Sequence, residues 1–198
     1  MNKRIALVVL STVLAAGLAA CGKKPAAPSA SGETIVKIGS VAPLTGPQAH
    51  LGRDNDNGTR LALEEINAKG LTIGGKKIRF ELMSEDDQAD PKTATIVAQK
   101  LVDAQVKGVI GHLNSGTSIP ASKIYHDAGI PQISPSATAI KYTEQNYKTA
   151  FRTMTNDRQQ GRVLGEFAVN KLGGKRVAII DDRSAYGQGL ADEVEKAV

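Results

Sequence analysis

Cysteine is almost absent. The 198 residues hold one, Cys21, so no disulfide can close within this chain even in an oxidising compartment. Aromatics are scarce too, with four tyrosines, three phenylalanines and no tryptophan, and no Lys/Arg block forms despite a net charge of +5. Without a basic stripe carrying stacking rings, a nucleic-acid-binding surface is disfavoured. Catalytic signatures are missing as well: no G-x-S-x-G elbow surrounds Ser115, Ser136 or Ser184, and no P-loop is present. Gly187-Gln188-Gly189 lacks a third glycine three residues on, which argues against a dinucleotide fingerprint. His50, His112 and His126 are too scattered for a metal set and read as loop or surface residues. Asp54, Asp56 and Gly58 miss the calcium-loop spacing, which needs an acid where Arg53 stands, and read instead as caps of the following helix. Asp86, Asp87 and Asp90 are accounted for by a strand end and a helix cap. No cofactor, no metal and no catalysis are expected.

What is present begins with a leader. Lys3 and Arg4 precede an apolar run from Ile5 to Leu14, and small residues then lead to Leu18-Ala19-Ala20-Cys21. The run is too short and too early for a stop-transfer helix, and its order is that of a secretory signal peptide over residues 1–20. The Leu-Ala-Ala-Cys ending resembles the bacterial lipobox, which makes Cys21 the expected lipidation site and first mature residue. Losing the two cations Lys3 and Arg4 lowers the net charge from +5 to +3. Residues 21–32 carry no large apolar side chain beyond that cysteine, so they cannot offset the entropy of ordering and form a flexible tether with a reach of roughly 18 Å. Lys23 and Lys24 can add about 1 kcal/mol each at an anionic headgroup surface. Attachment to the membrane is thus expected through the lipid alone.

From residue 35 onward, short β-rich runs alternate with amphipathic stretches. Strands are predicted at Ile35–Val41, Lys77–Leu82, Val106–Gly111, Ile130–Ile133, Ala150–Met154 and Arg176–Asp181. Pro131 hints at an end or edge position for its strand. Helices are predicted from Asn57 to Lys69, with Leu61, Ala62, Leu63 and Ile66 as its apolar side, and from Asp90-Pro91 to Asp103 through Ala94, Val97 and Leu101. Further helices run from Ile119 to Asp127, from a cap at Asp157 to Leu172, and from Gly189 onward. Strand–helix–strand alternation with short links implies an α/β fold: a parallel sheet with helices on both faces, binding ligands at the carboxyl ends of its strands.

Two loops sit where such a site belongs: Gly111-His112-Leu113-Asn114-Ser115-Gly116-Thr117-Ser118, and Ser134-Pro135-Ser136-Ala137-Thr138. Both are dense in small hydroxyl residues and backbone close to a helix start. They offer N–H and O–H donors to a carboxylate and C=O acceptors to an ammonium, with no fixed charge of their own. A zwitterion suits such a surface.

From Ile35 to Val198 the chain resembles the leucine/isoleucine/valine-binding proteins of branched-chain amino acid ABC transporters. The matching stretches are Pro43-Leu44-Thr45-Gly46-Pro47, Glu65-Ile66-Asn67-Ala68-Lys69-Gly70, Asp86-Asp87 with Asp90-Pro91, and Val109-Ile110-Gly111-His112-Leu113. They continue with Pro120-Ala121-Ser122-Lys123-Ile124-Tyr125, Ile133-Ser134-Pro135-Ser136-Ala137-Thr138-Ala139 and Tyr186-Gly187-Gln188-Gly189-Leu190-Ala191. The resemblance implies a periplasmic binding protein of type I, with two doubly wound parallel-sheet lobes that close on the ligand. Lobe one would span residues 33–156, and 157–198 would begin lobe two. It implies ligand contacts at Ser115, Gly116, Ser136, Ala137, Thr138, Tyr186 and Leu51. Ser115 would donate to the ligand carboxylate, joined by the Thr138 N–H and hydroxyl. The Ser136 carbonyl would accept from the ammonium, Tyr186 would approach from lobe two, and the family's acidic partner for the ammonium would lie beyond Val198. Some members place a tyrosine where Leu51 stands, and some join the loops holding Ala89 and Asn114 by a disulfide whose cysteines are both missing here. The implied partners are a free amino acid and the permease and ATPase of an importer; the implied state is a secreted monomer, lipid-anchored to the bacterial cell envelope. A receptor of the same fold that senses an amino acid or an amide, uncoupled from transport, is the alternative.

Overall fold

The computed structural model describes residues 32–198; the leader, Cys21 and the tether up to residue 31 lie outside the described residues. β-Branched residues open the fold as strand β1 (Thr34–Ala42), followed by β2 (Leu71–Ile73), β3 (Lys76–Asp86), β4 (Val109–Gly111), β5 (Gln132–Ser134) and β6 (Ala150–Arg152). They form one sheet in the order β2-β3-β1-β4-β5-β6, parallel except for the β2–β3 pair. The chain steps outward from β1 to β3 on one side and to β4, β5 and β6 on the other. The topological switch point therefore falls between β1 and β4, where open parallel sheets bind ligands. Val41 pairs with Glu85 on one side and Gly111 on the other, so the carboxyl ends of β3, β1 and β4 finish level.

Helix α1 (Ala49–Lys69) follows β1, α2 (Pro91–Asp103) follows β3, and α3 (Ser115–Asp127) follows β4. A short α4 (Ile140–Glu144) precedes β6, and α5 (Asp157–Glu166) and α6 (Ala185–Glu195) complete the chain. The main core joins the sheet to α2 and α3, with Val41, Leu101, Val106, Val109, Ala121 and Tyr125 all essentially inaccessible. The predicted cap of α2 is present: Asp90 Oδ1 accepts from the Thr93 N–H at 2.7 Å, with Pro91 at the first helical position. Ala94, Val97 and Leu101 form its buried face as expected.

Several expectations are corrected. Helix α1 starts eight residues before Asn57, so Asp54 and Asp56 lie inside it rather than capping it. Asp56 is buried and takes a hydrogen bond from Ser84 Oγ at 2.6 Å, and Gly52 lies so close to the Pro43 carbonyl that a Cβ would collide with it. The inward face of α1 is thus polar: Asp56, Thr59 and Asn67. The Asn67 amide pairs with both backbone groups of Phe80, at 2.9 and 2.8 Å, covering a sheet edge beyond the end of β2. The apolar side expected to be buried is open instead, with Leu61 and Ile66 exposed. β2 went unforeseen: Gly74 and Gly75, both at positive φ, turn the chain between β2 and β3 as a two-residue hairpin loop. Pro131 marks the start of β5, which is an interior strand.

Helices α3 and α6 each begin four residues earlier than predicted, because Asn114 and Ser184 start them. The cap of α5 is Asn156, whose Oδ1 accepts from the Gln159 N–H at 3.2 Å, while Asp157 is the first helical residue. After Glu166 the helix widens into a π-turn, Phe167–Lys171. The predicted strand Arg176–Asp181 pairs with nothing among the described residues, and Ile180 is 94% exposed. His112, read as a loop or surface residue, is fully buried; His50 is exposed on α1, and His126 is half-buried on α3.

Candidate functional site

Three loops meet at the switch point: residues 43–48 after β1, 112–114 after β4, and 135–139 after β5. The first is fixed from β3. Asp86 accepts from the Leu44 N–H at 2.8 Å, the Thr45 hydroxyl at 2.5 Å and the Gln88 N–H at 2.9 Å. Burial pushes the Asp86 pKa up, but these donors outweigh it and hold the carboxyl below its ordinary range. The second loop hangs on a fully buried cluster. His112 Nδ1 lies 2.7 Å from Asp87 Oδ2, and Nε2 lies 3.2 Å from the Tyr125 hydroxyl. Burial, with the Asp87 charge beside it, drives the Tyr125 phenol far above its ordinary pKa, so it stays protonated. The His112 carbonyl accepts from both Ser118 Oγ, at 2.9 Å, and Ser134 Oγ, at 2.7 Å, which ties the second loop to α3 and to β5.

Helix α3 starts without a side-chain cap. Asn114 stands at its N-cap in extended conformation, but its Nδ2 donates across the switch point to Gln48 Oε1 at 2.7 Å, and its buried Oδ1 has no partner. The Thr117 and Ser118 N–H groups reach the Asn114 carbonyl. Those of Ser115 and Gly116 have no intrahelical acceptor, as the first turn of any helix dictates, and stand at its positive end. The Ser115 hydroxyl accepts from the Ala139 N–H at 3.2 Å and keeps its own proton to donate. Donors with no fixed charge thus converge on one point, an arrangement made for an anion such as a carboxylate.

A cavity of about 260 Å³ opens there, lined by Gln48, Leu51, Leu113, Asn114, Ser115, Ser136 and Tyr186. Its size lies below the range for drug-sized ligands and suits a small metabolite. Of the predicted ligand residues, the structure brings Leu51, Ser115, Ser136 and Tyr186 into this one lining. Gly116, Ala137 and Thr138 are not in it. Gly116 borders a neighbouring cavity of about 520 Å³ together with Asp157 and Ala185, while Ala137 and Thr138 are buried within the third loop itself. Leu51, Leu113 and Ser136 also border an apolar groove of about 790 Å³ beneath α1. The cavity therefore has a hydroxyl and N–H end and an aliphatic end. Gln48 and Asn114 escaped sequence reasoning as site residues, since turn-prone neighbours surround the first and cap chemistry accounts for the second.

Asp157 stands apart. It is 1% exposed, and neither carboxylate oxygen completes a hydrogen bond. Burial pushes its pKa up, against the pull of the Thr138 hydroxyl and the Arg152 charge, with Glu193 adding to the rise. Among the described residues, no three His, Cys, Asp or Glu side chains gather as a metal-ligand set, and no helix is long and apolar enough to cross a membrane.

Comparison with known proteins places these features in company. The profile of the family described as periplasmic binding protein matches residues 35–198. The chain is 44% identical over 168 residues to a Leu/Ile/Val-binding protein homolog of Brucella abortus, covering 85% of this chain and 44% of that protein. It is 41% identical over 163 residues to the leucine-, isoleucine-, valine-, threonine- and alanine-binding protein of Pseudomonas aeruginosa, covering 82% of this chain and 43% of that one. Among solved structures, it is similar to the branched-chain amino acid transporter substrate-binding protein LivJ of Streptococcus pneumoniae in complex with isoleucine. That likeness has a TM-score of 0.74 and 32% identity, over 83% of this chain and 47% of that one. The chain thus spans under half the length of these proteins.

Proposed function

The chain belongs to the periplasmic binding protein family, and from that premise we propose that it captures a free amino acid as the substrate-binding part of an ABC importer. The preferred ligand is branched-chain: leucine, isoleucine or valine. One observation carries this reading: the 260 Å³ cavity at the switch point sets uncharged donors of Ser115 and the α3 N-terminus opposite the aliphatic Leu51 and Leu113. The donors take the ligand carboxylate, and Ser115 Oγ and the Thr138 N–H and hydroxyl lead among them. The Ser136 carbonyl accepts from the ammonium. The branched side chain packs on Leu51 and Leu113 toward the apolar groove, and Tyr186 closes over the ligand from the start of the second lobe at residue 157. Each hydrogen bond to a charged ligand group contributes about 1.5–3 kcal/mol, so a few of them with side-chain burial reach micromolar affinity, near −8 kcal/mol. The loaded protein hands its ligand to a membrane permease driven by its ATPase. It works outside the cytoplasm as a monomer, held to the envelope by a lipid on Cys21.

The test is a thermal-shift panel of the common amino acids on the intact protein, with Cys21 replaced and any carried-over ligand removed. A ligand at 100 times its dissociation constant adds about 2.7 kcal/mol of stability. Shifts with leucine, isoleucine or valine, and weaker ones elsewhere, support the reading. A folded, ligand-free protein that answers to no amino acid refutes it.

A further inference from the structure

The third loop presents one residue in an unusual state. Along Ala137-Thr138-Ala139, the Ala137 N–H donates to Ser134 Oγ at 2.9 Å and the Ala139 N–H to Ser115 Oγ at 3.2 Å. The Thr138 carbonyl accepts from the Asp157 N–H at 2.9 Å. Thr138 itself is 3% exposed, yet its N–H has no hydrogen-bond partner among the described residues, and its hydroxyl, set beside Asp157, completes no hydrogen bond. Buried donors are paired as a rule, so an unpaired pair of them is costly and calls for an explanation.

Arg152, at the end of β6, provides the geometry that keeps them so. Its Nη1 donates to the Ala137 carbonyl at 2.8 Å and its Nη2 to the Ala139 carbonyl at 2.9 Å, so the guanidinium grips the carbonyls of both residues flanking Thr138. Nη2 also reaches Thr143 Oγ1 at 2.7 Å, and the guanidinium lies over the Tyr142 ring at 5.4 Å. Tyr142 is fully buried and fixed by its hydroxyl to the Gln132 and Phe151 carbonyls, at 3.2 and 3.1 Å. A rigid planar fork can hold two carbonyls at once; the ammonium of a lysine, a point charge on a flexible stem, cannot hold the same geometry.

We propose that Arg152 is a positioning residue of the ligand site: its fork holds the carbonyls flanking Thr138 so that the Thr138 N–H is kept from protein acceptors and left for the ligand. This rests on the reading that Thr138 receives the ligand carboxylate. Arg152 never touches the ligand, and its effect is on one end of it.

The experiment compares intact wild-type protein with Arg152→Lys and Thr143→Val, using leucine and leucinamide as titrants. Nitrogen-15 relaxation of the ligand-free proteins is recorded alongside. With Arg152→Lys, leucine affinity falls at least tenfold while leucinamide affinity changes less than twofold. The order parameter of the Thr138 amide drops from about 0.85 to below about 0.6, with the Val109–Gly111 amides unchanged. A merely structural role would weaken both titrants alike and loosen those amides too, and that result overturns the inference, as does an unaltered leucine-to-leucinamide ratio. If the lysine variant fails to fold, Thr143→Val, which removes one of the fork's three anchors, decides: the ratio falls at least twofold, or the inference fails. If the wild-type protein binds no amino acid, the transport reading falls, and the Thr138 order parameter alone judges Arg152, with an unmoved value ruling it out.

Discussion

Two short aliphatic runs lie far apart in this chain with opposite fates. Val109-Ile110-Gly111 is strand β4, paired on both sides, with Val109 1% exposed. Arg176–Asp181 holds Val177, Ile179 and Ile180, yet it joins no ladder among the described residues, and Val177 and Ile179 stay 39% and 38% exposed. The difference lies in the neighbours. β4 lands in a slot between β1 and β5, above a core already closed by α2 and α3. Strand propensity is largely the fit of a side chain to a pleated, half-buried surface, and among the described residues no such surface meets 176–181.

That contrast can be pressed from its largest consequence downward. Leu101→Ala empties the core beneath β4, where Leu101 packs against Gly39 and Val106, and is expected to cost about 3 kcal/mol in urea unfolding. Asp87→Ala strips the buried His112 ring and the Ala89 N–H of their acceptor and should cost about 2 kcal/mol by the same measurement. Ser115→Ala leaves the buried Ala139 N–H without its acceptor, so it should cost about 1 kcal/mol in urea unfolding and weaken leucine binding about tenfold by calorimetry, or about 1.4 kcal/mol. Asp157→Asn tests the start of α5. The folded-state pKa of Asp157 lies above its ordinary value of 3.8, so the folded state holds the proton more tightly. Stability then falls as pH rises from that ordinary value to the raised one, and stays lowered above it. The asparagine variant should therefore unfold at higher denaturant than wild type at pH 7, with the advantage vanishing below about pH 3.8. Last, Ile180→Ser should change the stability of this chain by less than about 0.5 kcal/mol; a loss as large as that of Leu101→Ala would erase the contrast between the two runs.

The succession of strands and helices and the buried face of α2 were legible because they rest on local pattern: β-branched runs, a 3.6-residue period, and an Asp-Pro start. The two hydroxyl-rich loops were legible for a related reason, since they fall where a parallel sheet puts its ligands. What escaped depends on distant partners. Nothing local in α1 reveals that Asp56 and Asn67 face inward while Leu61 faces out, because Ser84 and the Phe80 backbone decide it from another strand. His112 looks like any loop histidine until Asp87 and Tyr125 arrive beside it. Between Asn156 and Asp157, two residues equally able to cap a helix, only three-dimensional placement selects the first. The β2–β3 hairpin was the near miss: its Gly-Gly turn is a strong signal, but β2, with three residues, is too short to show a period.

The chargeless lining of the small cavity reaches beyond affinity. A site that held its ligand by lysine or arginine would lose grip as ionic strength rose, because mobile ions screen such attractions within about 8–10 Å at physiological salt. Hydroxyls and peptide N–H groups act at contact distance, where no counter-ion can come between. At this end of the cavity, the grip on a carboxylate would therefore change little between dilute and saline surroundings.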